Sequence, residues 1–440
     1  MAEVVPFRGV LYNPEAISNI ADVVAPPYDV ISPKEQDGFY QKHAKNVIRL
    51  ILGKSETTDQ SQSDIHARAA GYFKTWLSEG TLIRDTAPGF YLTSVTFPVG
   101  DRQATRYGII GNVRLEPFER GIVLPHERTF SKVKSERLKL MQICHANFSP
   151  IFGLYSDGNG ILDQLMRYAD GKAPDMELLD DKGLRHKLWR ITDPRIQAHV
   201  TDSMKDQCIY IADGHHRYET ALNYRQWVRE RTSDFDENHP ANFVMMSLSS
   251  LKDPGMVIFP AHRLLKAVSA DERNALLDKV ERYFTVRSYS TEQGMEQALA
   301  EFDKALAVNA RRNAIGLYMA DRAALYTMIL KDGVMQERYG NELPEALTDL
   351  DVTVLTRLLM MELLQFDQAR LDDATKIGYA TTSRAAVGCV QDGDADMAFI
   401  LNPTRIEQVQ RVAQEGLIMP RKSTYFYPKV LSGQVFNLLI

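Results

Sequence analysis

Residues 208–222 read CIYIADGHHRYETAL, and no other stretch of the 440-residue chain constrains its folding as tightly. The apolar run Cys208 to Ala212 predicts a buried strand. Asp213-Gly214 supplies turn chemistry. From His216 onward the apolar spacing becomes helical, with Tyr218, Ala221, Leu222 and Trp227 on one side. A strand that passes through one glycine into a helix leaves free backbone N–H groups at its tip, where the helix dipole is positive. Such a tip suits a phosphate. His215, His216 and Arg217 stand at the same tip, and all three side chains can donate hydrogen bonds to anionic oxygen. Charge-assisted hydrogen bonds contribute about 1.5–3 kcal/mol each, and the helix terminus adds about 0.3–1 kcal/mol. The plainer reading of these residues is that Asp213 caps a helix whose first turn carries two solvated histidines.

Asp213-Gly214-His215-His216-Arg217 resembles the phosphate-binding signature of the ParB/sulfiredoxin-like superfamily, in particular its free-serine kinases. Over nearly its whole length the chain also resembles a widespread bacterial and archaeal family, a domain of unknown function carrying this DGHHR motif. That resemblance rests on Ala25 to Ile31 (APPYDVI), Pro125 to Thr129 (PHERT) and the closing Met419 to Lys429 (MPRKSTYFYPK). It implies a nucleotide phosphate site lined by Asp213, Gly214, His215, His216 and Arg217. No other kinase residue is carried over by motif.

Length predicts at least two domains. With 44% apolar and 25% charged residues, the composition is that of a soluble globular protein. A net charge of −5 gives no electrostatic reason to bind nucleic acid or an anionic membrane. Cys144, Cys208 and Cys389 are far apart, so no disulfide framework or zinc cluster is expected. Met1 to Val10 lacks the regions of a signal peptide, and no apolar run reaches the ~20 residues of a membrane helix. A cytoplasmic protein is expected.

Several local signals organise the rest. Ser32, Pro33 and Glu35 read as a capping box opening a helix, and Ile65 to Leu77 as a helix stopped by Gly80. Residues 54 to 63 read as a polar loop. Phe90 to Phe97 and Tyr107 to Leu115 read as strands joined near Gly100-Asp101. Strands are expected at Phe148 to Tyr155 and Lys187 to Ile191, and the alternation with helices favours an α/β domain. A boundary near Leu251 to Gly255 divides the chain into residues 1–252, an α/β region with mixed sheets, flanking helices and a ParB/sulfiredoxin-like core, and residues 253–440, an α+β domain. In the latter, Ser269 with Glu272 and Ser290 with Gln293 read as capping boxes, and Val352 to Leu364 as an apolar helix. Ile377 to Ala380 and Met397 to Leu401 read as strands.

Other constellations add candidates. Glu127 lies between His126 and Arg128 in a proline-bounded loop and can serve as a general base, or else form a salt bridge to Arg128 or Lys132. The basic run Ser131 to Lys139 is an exposed helix face or a phosphate-facing loop. Asp29 follows two prolines, lining a pocket or capping its own turn. Between Lys422 and Lys429 cations interleave with Tyr425, Phe426 and Tyr427, a pattern able to stack a base and pair a phosphate. His215-His216 alone is a poor metal site, since neighbouring residues at a helix start diverge. Magnesium arriving with a nucleotide has Asp213 or Glu127 as oxygen ligands. Cys144-His145 reads as a buried helix cysteine rather than a catalytic pair.

The expectation is a nucleotide-dependent phosphotransferase that uses ATP or ADP with magnesium and acts on a small hydroxylated metabolite such as free serine. Glu127, Asp213 and His216 are the catalytic candidates. Gly214, His215, His216 and Arg217 are the phosphate-binding ones, with Asp29, His126, Arg128, Lys422, Tyr425 and Lys429 around the pocket. A nucleotide-sensing module without turnover and a phosphate-ester hydrolase are the alternatives. The partners are a nucleotide and a small-molecule substrate, without membrane or nucleic acid, in a chain able to form a homo-oligomer.

Overall fold

Apolar runs buried along their whole length build the two larger sheets, one in each of two units. The computed structural model describes residues 2–440 apart from Thr58, Gln60, Arg128 and Phe130 and the side chains of Gln62, Ser131, Lys132 and Val133. One unit comprises Met1–Met256 together with Pro428–Ile440, and the other Val257–Tyr427. Residues 428–440, grouped with the C-terminal region on sequence, thus return to the first unit.

The first unit is organised on nine strands: β1 (Val4–Val5), β2 (Phe90–Val99), β3 (Arg102–Arg114), β4 (Val123–Leu124), β5 (Ile151–Tyr155), β6 (Met176–Leu179), β7 (Arg185–Ile191), β8 (Ile209–Asp213) and β9 (Phe243–Ser250). Their order is β4-β8-β5-β9-β3-β2-β7-β6, with β1 on β3. Pairs β4–β8 and β5–β9 are parallel and the others antiparallel, so this is a mixed sheet. Helices α1 (Pro33–Lys42), α2 (Gln62–Ser78), α3 (Ser131–Cys144), α4 (Ile161–Ala169), α5 (Pro194–Met204) and α6 (His215–Arg229) accompany it. Helix α6 presents Tyr218, Ala221, Tyr224 and Val228, all buried, to a core that includes Ile109, Ile151, Ile211 and Met246. Helix α3 packs against α6.

The second unit has a fully antiparallel six-stranded sheet, from β10 (His262–Leu265), β11 (Phe284–Ser290), β12 (Ala314–Met319), β13 (Ala324–Leu330), β14 (Ile377–Ala380) and β15 (Met397–Leu401), in the order β11-β13-β12-β15-β10-β14. Its helices include α7 (Ala270–Val280), α8 (Met295–Val308), α9 (Ser383–Gln391) and α10 (Ile406–Gln414).

Capping chemistry sets several boundaries as expected. Ser32 with Glu35 and Ser269 with Glu272 form complete capping boxes. Ser290 does not cap: it ends β11, and α8 starts at Met295 after Gly294. The polar loop is also shorter than expected, because Ser61 and Asp64 form a capping box that starts α2 at Gln62. The strand expected over Phe148 to Tyr155 begins at Ile151, while Ala146–Asn147 pairs instead with Asn437–Leu438. The apolar helix expected at Val352 to Leu364 is wound as a π-helix over Val354–Leu363, with the Leu364 amide donating to the Leu359 carbonyl at 3.0 Å.

Candidate functional site

Asp213 closes β8 at a register shift against β5 between Ile211 and Asp213, the kind of bulge that re-aims a side chain at a strand end. Gly214 then turns the chain at φ +95°, a left-handed conformation that costs glycine nothing. Helix α6 begins at His215, and its first ladder bond runs from the Tyr218 amide to the Gly214 carbonyl at 3.0 Å. The amides of His215, His216 and Arg217 therefore stand outside the helical ladder. The strand–glycine–helix junction is the one expected, displaced by one residue because Asp213 belongs to the strand.

Asp213 does not cap the helix. Its Oδ2 accepts from Arg217 Nη2 at 2.7 Å, one turn along, and its Oδ1 accepts from Lys429 Nζ. All three side chains are 13% exposed. Burial works to raise the carboxyl pKa, but the charges of Lys429 and Arg217 outweigh it and hold the group down at about 2. Arg217 Nη1 also donates to the Pro150 carbonyl. The guanidinium lies directly over Gly214, where a Cβ would come 2.8 Å from Arg217 Nε and Nη2.

His215 faces inward, a departure from the expected pair of outward donors. It is 5% exposed, and its Nε2 accepts the His126 amide at 3.3 Å. The rings of His126 and His215 meet edge to face with centroids 4.8 Å apart. Burial pushes His126 down to about 4, and burial together with His126 pushes His215 well below the ordinary histidine value. Two neutral imidazoles thus support the turn from beneath. His216 is half-buried and lowered by burial, with the charges of Glu219 and Asp29 opposing the shift.

Three further segments surround the junction. The loop carrying Glu127 is pinned to α6 on both sides, through the His126 amide and through Thr129 Oγ1, which donates to Glu219 Oε1 at 2.7 Å. Glu127 itself is half-buried in a bend. From the basic run, Lys134 pairs with Glu219, and the Arg137 guanidinium sits 4.1 Å from the centre of the Tyr28 ring. Neither is a freely solvated face residue. A cavity of about 70 Å³ opens between Tyr28, Arg137, Ser149, Arg217 and Thr220. Asp29, next to Tyr28, is exposed.

Of the sequence candidates, the fold gathers Asp29, His126, Glu127, Lys429 and residues 213–217 in the first unit. Arg128 lies outside the described residues. Lys422 and Tyr425 belong to the second unit, where the Lys422 carbonyl accepts from Arg263 Nη2 at 3.1 Å and Tyr425 pairs across a short ribbon with Phe259. Sequence reasoning did not single out Tyr28, Lys134, Arg137, Pro150 or Glu219. Lys134 and Arg137 at least lay within the basic run it marked.

No group of three or more histidine, cysteine or carboxylate side chains able to hold a metal occurs among the described residues. No helix among them is long and apolar enough to cross a membrane.

No curated protein matches the chain. Among solved structures, a free serine kinase in complex with AMP aligns over 72% of this chain and 86% of its own, at 10% identity and a TM-score of 0.34. SbnI from Staphylococcus aureus with a C-terminal truncation covers 74% and 86%, at 10% identity and 0.34. A conserved hypothetical protein from Pyrococcus furiosus covers 73% and 92%, at 11% identity and 0.33. These likenesses are too distant to assign any residue a role. The profile of a family of proteins of unknown function, DUF1015, matches residues 4–353, and the chain belongs to that family.

Proposed function

We propose that the 213–217 junction binds a nucleotide phosphate and that the protein is a nucleotide-dependent phosphotransferase acting on a small hydroxylated metabolite, free serine being the first to test. One observation carries the reading: Arg217 and Lys429, 212 residues apart in sequence, converge on a single carboxylate at the N-terminus of α6. Two cations against one anion leave a net positive charge beside three amides outside the helical ladder. Arg217, Lys429 and those amides hold the phosphate, Gly214 lets the backbone approach it, and the outer imidazole of His216 donates to it. Asp213 orients both cations. Glu127, on the loop pinned to α6, takes the hydroxyl proton of the acceptor. Positioning and charge stabilisation are most of what phosphoryl transfer asks of a protein.

ATP or ADP is the nucleotide class the motif's resemblance implies, on a ParB/sulfiredoxin-like core in the first unit. The residues suit the phosphates better than a bare magnesium ion, since both Asp213 oxygens already face cations. Magnesium enters this reading with the phosphates, where it neutralises their charge. Calorimetric titration of ATP and ADP into the wild type and Arg217→Ala tests the site, with a loss of at least about tenfold in affinity expected. Equal affinity in the two proteins overturns the assignment. Incubation with nucleotide and an amino-acid panel tests turnover: binding without product indicates a nucleotide-sensing module, and phosphate release from phosphoserine indicates a hydrolase.

A further inference from the structure

The second unit contains a cleft of about 460 Å³ between α8 and the start of α9, within the ~300–1,000 Å³ typical of small-molecule sites. Its floor is apolar: Leu299, Leu306 and Ile400 are at most 5% exposed. Polar groups of three different kinds line its walls.

The first is His262, 2% exposed at the start of β10. Its Nδ1 accepts the Leu401 amide at 3.1 Å. Burial, with the charge of Arg263, pushes its pKa down to about 4. The ring is neutral and carries its proton on Nε2, which is not sealed in protein and meets no protein acceptor among the described residues. The second is the N-terminus of α9. Thr382 Oγ1 accepts the Ala385 amide at 3.2 Å, and the Ser383 and Arg384 amides precede the helical ladder. The third is Asp303 of α8, whose carboxyl burial raises even though Ser383 and Arg384 act to lower it. At the rim Glu296 and Arg384 neutralise each other, each side chain 69% exposed.

The cleft therefore offers hydrogen-bond donors, a carboxylate beside them that accepts from Ser383, and an apolar floor. We propose that this cleft binds a free α-amino acid with an apolar side chain. The carboxylate takes the His262 Nε2–H and the α9 amides, the ammonium takes Asp303, and the side chain lies over Leu299, Leu306 and Ile400. A simple monocarboxylate brings no cation to Asp303, and a simple amine leaves the donors unused. This site is separate from the phosphate reading, because every residue named for it lies in the second unit.

Calorimetry on the full chain without nucleotide, with L-leucine as probe, tests the proposal. Saturable binding is expected, weakened at least about tenfold when the probe is isocaproate, which lacks the amine, or isoamylamine, which lacks the carboxylate. Asp303→Asn weakens leucine binding by a similar factor. Ala300→Trp, at an exposed α8 position lining the cleft, abolishes it while the melting temperature stays near that of the wild type. Arg217→Ala leaves leucine binding unchanged. Absence of saturable leucine binding at millimolar concentration overturns the proposal, as does full binding in both cleft variants or equal affinity for isocaproate.

Discussion

Replacing Lys429 with Met tests whether the 213–217 junction is an electrostatic device or a packed turn. Methionine keeps the apolar stem of the lysine and removes its charge. The Asp213 carboxyl is lowered from its ordinary 3.8 to about 2, so its pairing contributes native-state stability at neutral pH on the order of 2 kcal/mol. Because the folded value is the lower one, this contribution is present above about pH 4 and disappears as the pH falls through about 2. Burial alone would move the group upward, so the lowering comes mainly from the two cations, Lys429 ahead of Arg217. With Arg217 still in place, its loss costs about 1–3 kcal/mol, less than the full penalty of an unpaired buried charge. For a unit of this size that lowers Tm by about 3–8 °C. Differential scanning calorimetry at pH 7 on the wild type, Lys429→Met, Asp213→Asn and the double variant gives the coupling directly. The double variant should recover at least about 1 kcal/mol relative to the sum of the single effects. Additive effects, or an unchanged transition in Lys429→Met, would refute the ion-pair account.

Gly214→Ala should destabilise the first unit by about 2 kcal/mol through its positive φ alone, and because the new Cβ displaces Arg217 it should weaken ADP binding as well. An Ala variant with native Tm and affinity contradicts the geometry of the turn. Acid should act through His126: held at about 4 against an ordinary 6.5, it takes up a proton on unfolding first, so stability falls as pH drops from 6.5 toward 4. Its share is about 2 kcal/mol at pH 5, and His126→Gln should flatten the Tm difference between pH 7 and pH 5; an unaltered difference sinks the reading. Tyr218 Oη accepts the Glu116 amide and donates to the Glu116 carbonyl, both at 2.9 Å, so Tyr218→Phe should cost about 1–3 kcal/mol in urea unfolding. Cys144 is buried, with its thiol pushed up to about 12, whereas Cys208 is exposed. A thiol reagent on the native protein should label Cys208 and spare Cys144 until denaturant is added.

What could be read from the chain in advance was local. The capping boxes at Ser32 and Ser269, the strand–glycine–helix junction at Gly214 and the final strands of the second unit all announce themselves within a few residues. Local signals also mislead where a neighbouring element competes for the same residue. Ser290 with Gln293 has the letters of a capping box, but Ser290 is claimed by its ladder with Ala324. The mixed sheet of the first unit was expected, but its strand order was hidden, because its parallel pairs join strands that are not consecutive in the chain.

At the candidate site the same distinction decides which histidine matters. His215 and His216 are adjacent letters with equal donor chemistry. The helix turns one into the core against His126 and leaves the other half-exposed, so burial, which no local pattern reports, settles their charge. Lys429 was marked for its aromatic neighbours, yet its structural value lies in returning with residues 428–440 to the first unit and reaching Asp213. A buried carboxylate at the tip of β8 would otherwise oppose any anion brought to α6. With Arg217 and Lys429 both committed to it, the tip keeps one positive charge in excess and holds two cations oriented before a ligand arrives. Such preorganisation lowers the ordering cost of binding, and under the proposed phosphate reading it accounts for an aspartate beside the bound anion despite its own negative charge.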